Sequence, residues 1–163
     1  MKLTKRRKIS VKAVKKVRYQ VKQALIKRAD IKNHRPTLAQ AQSWFHILNK
    51  GLFENRLQMP LMELRQLTNC MGQCFCIWDA RKIKAVNKRA LPVDQLPHKG
   101  IEFKIELRKR FDTWKDFIET LAHEMVHLHQ MTVDRDVYSN HNANFYAFKN
   151  KFKSAGLTLS RTG

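Results

Sequence analysis

Acidic side chains are scarce in this chain: 13 Asp and Glu stand against 33 Lys and Arg in 163 residues, a formal net charge of +20 at pH 7. A field of that sign attracts polyanions, and nucleic acid is the commonest polyanion in a cell, ahead of membrane surfaces. Long apolar runs are missing as well. None approaches the roughly 18 residues that a membrane-spanning helix needs. Neither a continuous apolar stretch nor a small-residue cleavage site follows the basic N-terminus, so no signal peptide is expected. Cysteine is sparse and odd in number, at three, which argues against a disulfide framework. Apolar residues, by contrast, make up an ordinary 43% of the chain, enough for one domain with a real core. A soluble, cytoplasmic protein is expected.

The positive charge is unevenly spread. Residues 1–35 hold 14 Lys and Arg and a single acidic residue, Asp30, and so supply +13 of the total. Val11, Val14, Val17, Val21 and Leu25 recur at spacings of three and four, which predicts that part of this basic arm is a helix with one apolar stripe. The arm suits either a solvated, partly disordered tail or a nucleic-acid contact, because charge shows attraction and not a mode of binding.

Residues 36–163 read as the folded domain. Thr37 and Gln40 form a capping box ahead of a helical stripe, Leu38, Ala41, Phe45, Leu48 and Leu52, that runs to about Leu57. Residues 61–68 and 73–78 resemble short strands parted near Gly72. Residues 101–107 alternate apolar with charged side chains and are the clearest strand. Between them lies a basic loop, 79–100, of a length usually reserved for function or mobility. Thr113 and Asp116 open the next helix, whose core stripe is Phe117, Leu121, Met125 and Leu128. A final helix is expected from near His141 to Ala155, with Phe145, Phe148 and Phe152 inward and Gly156 as its C-cap. Helix, small sheet, helix, helix is an α+β order.

The helix opened by Thr113 contains His123-Glu124-Met125-Val126-His127. Residues four apart on a helix are offset by about 40° and about 6 Å, so both imidazoles point the same way and can share one metal ion. Glu124 sits beside that face, placed to take a proton from zinc-activated water without itself being a ligand. Both histidines lie off the apolar stripe, where unpaired polar groups make poor core residues.

A catalytic zinc takes three protein ligands and keeps one open position. No glutamate follows Glu124, which excludes a downstream Glu ligand. The metzincin pattern needs a glycine three residues past the second histidine and a histidine three beyond that. Gln130 and Val133 stand there instead. His141, Asp134, Asp136 and His129 remain. His129 lies about 200° around the helix from His127, pointing away from the metal as a surface or structural histidine. His141 is the preferred third ligand, with Asp134 or Asp136 as the alternatives.

The run Thr120-Leu121-Ala122-His123-Glu124-Met125-Val126-His127, followed after a polar loop by His141 and then Phe145, resembles the SprT-like (Spartan-type) metallopeptidases. Leu52-Phe53-Glu54-Asn55-Arg56-Leu57 and the strands near Gly72 and at 101–107 fall in that family's order, so the likeness covers about residues 37–156. The resemblance implies a zincin-like core, zinc ligands His123, His127 and His141, Glu124 as catalytic base, and substrates that are proteins bound or crosslinked to DNA. Two departures stand out. The family flanks its third histidine with glycines, whereas Asn140 and Asn142 occur here; asparagine is the non-glycine residue that best tolerates left-handed backbone. The paired cysteines of a zinc ribbon are also missing from the 22 residues after His141, which suits a minimal, core-only member.

Cys70, Cys74 and Cys76 do not match zinc-finger spacing and read as small apolar residues near a strand. Trp44, Trp78 and Trp114 read as core rather than base-stacking residues. Three functions compete. The first is a zinc protease recruited to nucleic acid, DNA in particular, through the arm and the 79–100 loop. The second is a DNA-binding protein with a structural or vestigial zinc site. The third is hydrolysis of some other amide.

Overall fold

The computed structural model describes residues 8–161. The first seven residues of the basic arm lie outside them. Ser10 caps the first helix, α1 (Val11–Lys27), by accepting from the amide of Ala13 at 3.2 Å. Val17, Val21 and Leu25 from the expected stripe are buried, and Val14 is half-buried. Val11, at the helix start, is 72% exposed. Lys12, Lys15, Lys16, Lys22 and Lys27 face solvent. The buried stripe joins the same core as the rest of the chain, so α1 packs as an integral element and not as a loose tail.

Strand β1 (Lys32–His34) leads into α2 (Leu38–Leu52), which opens with the expected reciprocal cap: the Thr37 hydroxyl accepts from the Gln40 amide, and the Gln40 side chain from the Thr37 amide, each at 3.1 Å. The helix stops five residues short of Leu57 because Glu54 and Asn55 turn left-handed, with φ of 53° and 56°. Asn49 then ties down Leu57 with two hydrogen bonds, at 2.9 and 3.2 Å. Helices α1 and α2 meet at Gly51. A β-carbon there would sit 3.0 Å from Cγ1 of Val17, and Arg18 reaches the Gly51 carbonyl at 2.8 Å.

The main sheet has three strands, β2 (Leu61–Arg65), β3 (Gly72–Ile77) and β4 (Glu102–Arg108), in the order β2-β4-β3. The central strand pairs in parallel with β2 and antiparallel with β3, which leaves β3 at an edge. Ile105 and Leu107 turn into the core as the alternation predicts. The opposite face is not simply wet. Glu106 is 1% exposed and is gripped by Arg65, Lys104 and Gln73, the partners a buried carboxylate requires. A second sheet of two antiparallel strands, β1 and β5 (Phe111–Thr113), has no counterpart in the sequence reading, since three-residue strands carry too little pattern.

Helix α3 (Trp114–His129) carries the motif and is capped by Thr113 and Asp116 as expected, at 3.0 and 3.2 Å. It runs on into a π-helical turn, Gln130–Asp134. The single final helix is corrected by the structure. The segment breaks into α4 (Ala143–Tyr146) and α5 (Lys149–Ser154), and His141 precedes both. Phe148 sits at the break with a tightened bond to Phe145 O, which lets Phe145, Phe148 and Phe152 all reach the core. The 79–100 loop also has an anchor. Ile83 and Val93 bury against Cys76, Ile101 and Met131 as a second small core, with a short 3₁₀ turn at Pro92–Gln95.

All three tryptophans pack against apolar neighbours, and Arg28 stacks over Trp44 and Trp114 at 5.9 and 4.8 Å. The cysteines are free; Cys74 and Cys76 lie within β3. No helix among the described residues is long and apolar enough to cross a membrane.

If α1 is part of the core, Leu25→Ala destabilises the protein by about 2–3 kcal/mol in urea unfolding, whereas Tyr19→Ala on its exposed face costs less than about 0.5 kcal/mol. Equal, small effects would mean that the helix does not contribute to the core.

Candidate metal centre

Helix α3 is apolar on one side and buried on almost every side. His123 and Glu124 are only 5% and 4% exposed, and His127 is half-buried. Two imidazoles and a carboxylate so placed lose their water and need other partners. The loop after the π-helical turn brings His141 to them. Its Nε2 lies 3.3 Å from Nε2 of His127 and 3.3 Å from Nε2 of His123. The ligand atoms of the three lie within 4.8 Å of one another, and no fourth His, Cys, Asp or Glu joins them among the described residues.

This geometry fits a tetrahedral metal. Zinc bound at about 2.0–2.1 Å holds neighbouring imidazole nitrogens about 3.3–3.4 Å apart. Three ring nitrogens aimed at one point also cannot satisfy one another with protons, so a cation is the partner that suits all three lone pairs. Electrostatics agrees. Burial holds the pKa of His123 down to about 4, with His127 and His141 adding to the effect. Burial likewise lowers those of His127 and His141, the latter also under the influence of Arg161. All three are neutral at pH 7, the form that ligates.

The floor of the site is Phe145, whose ring centroid lies 4.9, 5.0 and 4.6 Å from those of His123, His127 and His141. Gln130 supplies the side wall. Its Oε1 is 2.9 Å from Nδ1 of His127, while its Nε2 donates to the carbonyl of Asn140 at 2.8 Å and to Oδ1 of Asn142 at 3.0 Å. With both amide protons committed, the oxygen must face His127, so Nδ1 carries the proton and the Nε2 lone pair faces the other histidines.

Glu124 is not in the converging cluster. Burial pushes its carboxyl up to about 8, against a hydrogen bond from the backbone of Cys74 that favours the ionised form. A cation at the histidines acts in the same direction as that bond. Helix and strand approach closely here because residue 72 is glycine. A β-carbon on Gly72 would lie 2.8 Å from Cγ2 of Thr120 and 3.1 Å from Cγ of Glu124.

The alternative third ligands are engaged elsewhere. Asp134 Oδ2 lies 3.4 Å from Nδ1 of His129, which is buried against Phe53 and Phe148, so His129 is structural. Asp136 accepts from the amides of Tyr138 and Ser139 and, at 2.6 Å, from Nδ2 of Asn142. The asparagines flanking His141 work differently from expectation. Asn142 is extended, with φ −100°, and the left-handed residues of this stretch are Arg135 and Ser139. Asn142 serves through its side chain, which also caps α4 by accepting from Phe145 N at 3.2 Å.

Sequence reasoning passed over Gln130 and Gly72. Gln130 lies three residues beyond His127 on the same helical face, a spacing that places side chains in contact. Nothing local marks Gly72, because its constraint comes from a helix distant in sequence.

The SprT-like family profile matches residues 41–162, and the chain belongs to that family. Comparison with curated proteins finds no match. The family is metal-dependent, and membership is compatible with a metalloprotease-like activity.

Gln130→Leu removes the acceptor at His127 and both bonds to the third-histidine loop. Zinc affinity, read by competition with a chromophoric chelator, is expected to fall 10- to 100-fold; unchanged affinity would show that the amide does not orient the ligands. A second expectation concerns acid. The folded pKa of His123 lies below its unfolded value, so its contribution is complete above pH 6.5 and is lost as pH falls toward about 4. In the metal-free Glu124→Gln variant, where the opposing gain from the raised Glu124 carboxyl is absent, roughly 3 kcal/mol is therefore lost from His123 across that window, visible as a falling melting temperature between pH 7 and pH 4.

Proposed function

We propose that the chain is a zinc-dependent metalloprotease with a zincin-like core, acting on proteins bound or crosslinked to DNA. The observation that carries the catalytic part is the convergence of three Nε2 atoms beside a buried carboxylate, with no fourth protein ligand in the cluster among the described residues. Three ligands leave a coordination position for water or substrate, whereas structural sites close it with a fourth. That favours hydrolysis over a structural or vestigial zinc site.

In this reading His123, His127 and His141 hold the ion. Bound zinc supplies Lewis acidity, which acidifies water and polarises a carbonyl. The chain's own groups do the rest. Glu124 receives the proton of the attacking water on a carboxylate oxygen and passes it to the departing amine. Gln130 keeps the lone pair of His127 aimed inward. Strand β3 lies beside Glu124 with its outer edge unpaired within the sheet, so an extended substrate can add to it through main-chain hydrogen bonds. Main-chain recognition of this sort reads little side-chain identity and suits cleavage with low sequence preference.

Recruitment to DNA draws support from the charge. The exposed lysines of α1 and the basic 79–100 loop are its proposed contacts. Tethering raises the local concentration of protein substrates on the same polymer. In a DNA-bearing compartment, here assigned to the cytoplasm, a weakly selective cleft then acts mainly where DNA holds its target.

Glu124→Gln keeps the shape of the site and removes the base. Cleavage of a DNA-bound protein is expected to drop at least about 100-fold, with zinc stoichiometry by atomic absorption unchanged. Full activity in this variant would overturn the mechanism.

A further inference from the structure

Away from the metal centre, the turn between β4 and β5 closes a concave surface of about 320 Å³, lined by Arg65, Gln66, Leu67, Arg108, Lys109, Arg110 and Asp112. Its cations are not alike. Arg65 is spent on Glu106, at 3.2 Å. Arg108 is half-buried and its guanidinium is held by two neutral acceptors, the carbonyls of Leu67 and Thr68, each at 3.0 Å. Arg110 is fixed by another neutral acceptor, Oδ1 of Asn33, at 2.6 Å. Hydrogen bonds to neutral oxygens orient a guanidinium without cancelling its charge. Lys109, exposed at the turn, adds a further positive charge, and Asp112 is the one acid in the lining.

We propose that this concavity is a phosphodiester-binding site for the backbone of a nucleic acid, outside both segments that the sequence marks as basic. Two oriented guanidinium groups and an ammonium present the forked and point donors that phosphate oxygens accept. The orientation is already set, so little side-chain freedom is lost on binding. The favoured ligand is a polymer and not a lone anion because of where the pocket lies. Asn33, which holds Arg110, belongs to β1, the strand that directly follows the lysine-rich helix α1. Regularly spaced phosphates can engage the pocket and that helix together; a free phosphate can occupy only one. The inference stands apart from the protease reading and holds whether or not the chain cleaves protein.

The test uses the full chain with fluorescein-labelled DNA of roughly 20 nucleotides, single-stranded and duplex, titrated over a salt series. Each phosphate contact contributes about 0.9 to the slope of log K against log salt on duplex and about 0.7 on a single strand. Lys109→Ala with Arg110→Ala is expected to flatten the slope by about 1.8 or about 1.4 respectively, and to weaken binding at low salt at least tenfold. Lys109→Ala alone gives about half that change, and it guards against a folding defect because the residue is exposed. Arg110→Lys, which keeps the charge, retains the parent slope. Parent slope and affinity in the double variant would overturn the proposal. So would loss of binding to vesicles of three parts phosphatidylcholine to one part phosphatidylserine with DNA binding intact, which would mark a lipid-headgroup site. Amide shifts at Lys109 and Arg110 with inorganic phosphate, alongside an unchanged DNA slope, would mark a small-anion site and overturn it equally.

Discussion

Helix α3 is wrapped on nearly all sides, yet it carries His123, Glu124, His127 and, at its end, His129. Desolvating so many polar groups on one helix is unfavourable unless each finds a partner. Much of the surrounding structure meets that need. The third-histidine loop answers His123 and His127, Cys74 answers Glu124 through its backbone, and Asp134 answers His129. Gly72 lets the edge strand come near enough for the second of these contacts. The apolar stripe on the other side fixes the helix in place, so the polar side has no freedom to rotate back into water.

Gln130 shows how one neutral side chain can organise such a site. A carboxamide offers one acceptor and two donors with fixed relative directions. Here the acceptor end meets an imidazole of α3 and the donor end meets the loop that brings in His141. Asn142 continues the chain of contacts to Asp136 and to the first turn of α4. The loop at His141 is thus held by the Asn142 side chain and the Asn140 backbone carbonyl.

The sequence exposed the features that depend on local spacing. The capping boxes at Thr37 and Thr113, the stripe of α2 from Ala41 to Leu52 (its expected first member, Leu38, is exposed), the central strand and the histidine pair all follow from residues within a few positions of each other. The break between α4 and α5 was hidden, because the phenylalanine spacing satisfies one continuous helix as well as two short ones. The short β1 and β5 strands were hidden for want of pattern. The basic arm was legible as a charged segment with an apolar stripe. Its role as a core element was not, since Val17, Val21 and Leu25 find their partners on α2 and beyond.

The positions of the three histidines along the chain have a thermodynamic consequence. His141 is 18 residues from His123 and 14 from His127, so an ion joining them closes only short loops. A short loop removes less chain entropy from the unfolded ensemble than a long one does. The main core, with Phe45, Leu52, Phe117, Leu121 and Phe152, is assembled from segments far apart in sequence and does not pass through the ligands. An ion held there would clip a local segment and would not be the keystone of the fold. A metal held there is accordingly expected to be removable without unfolding the domain, unlike the metal of zinc fingers, which unfold without it.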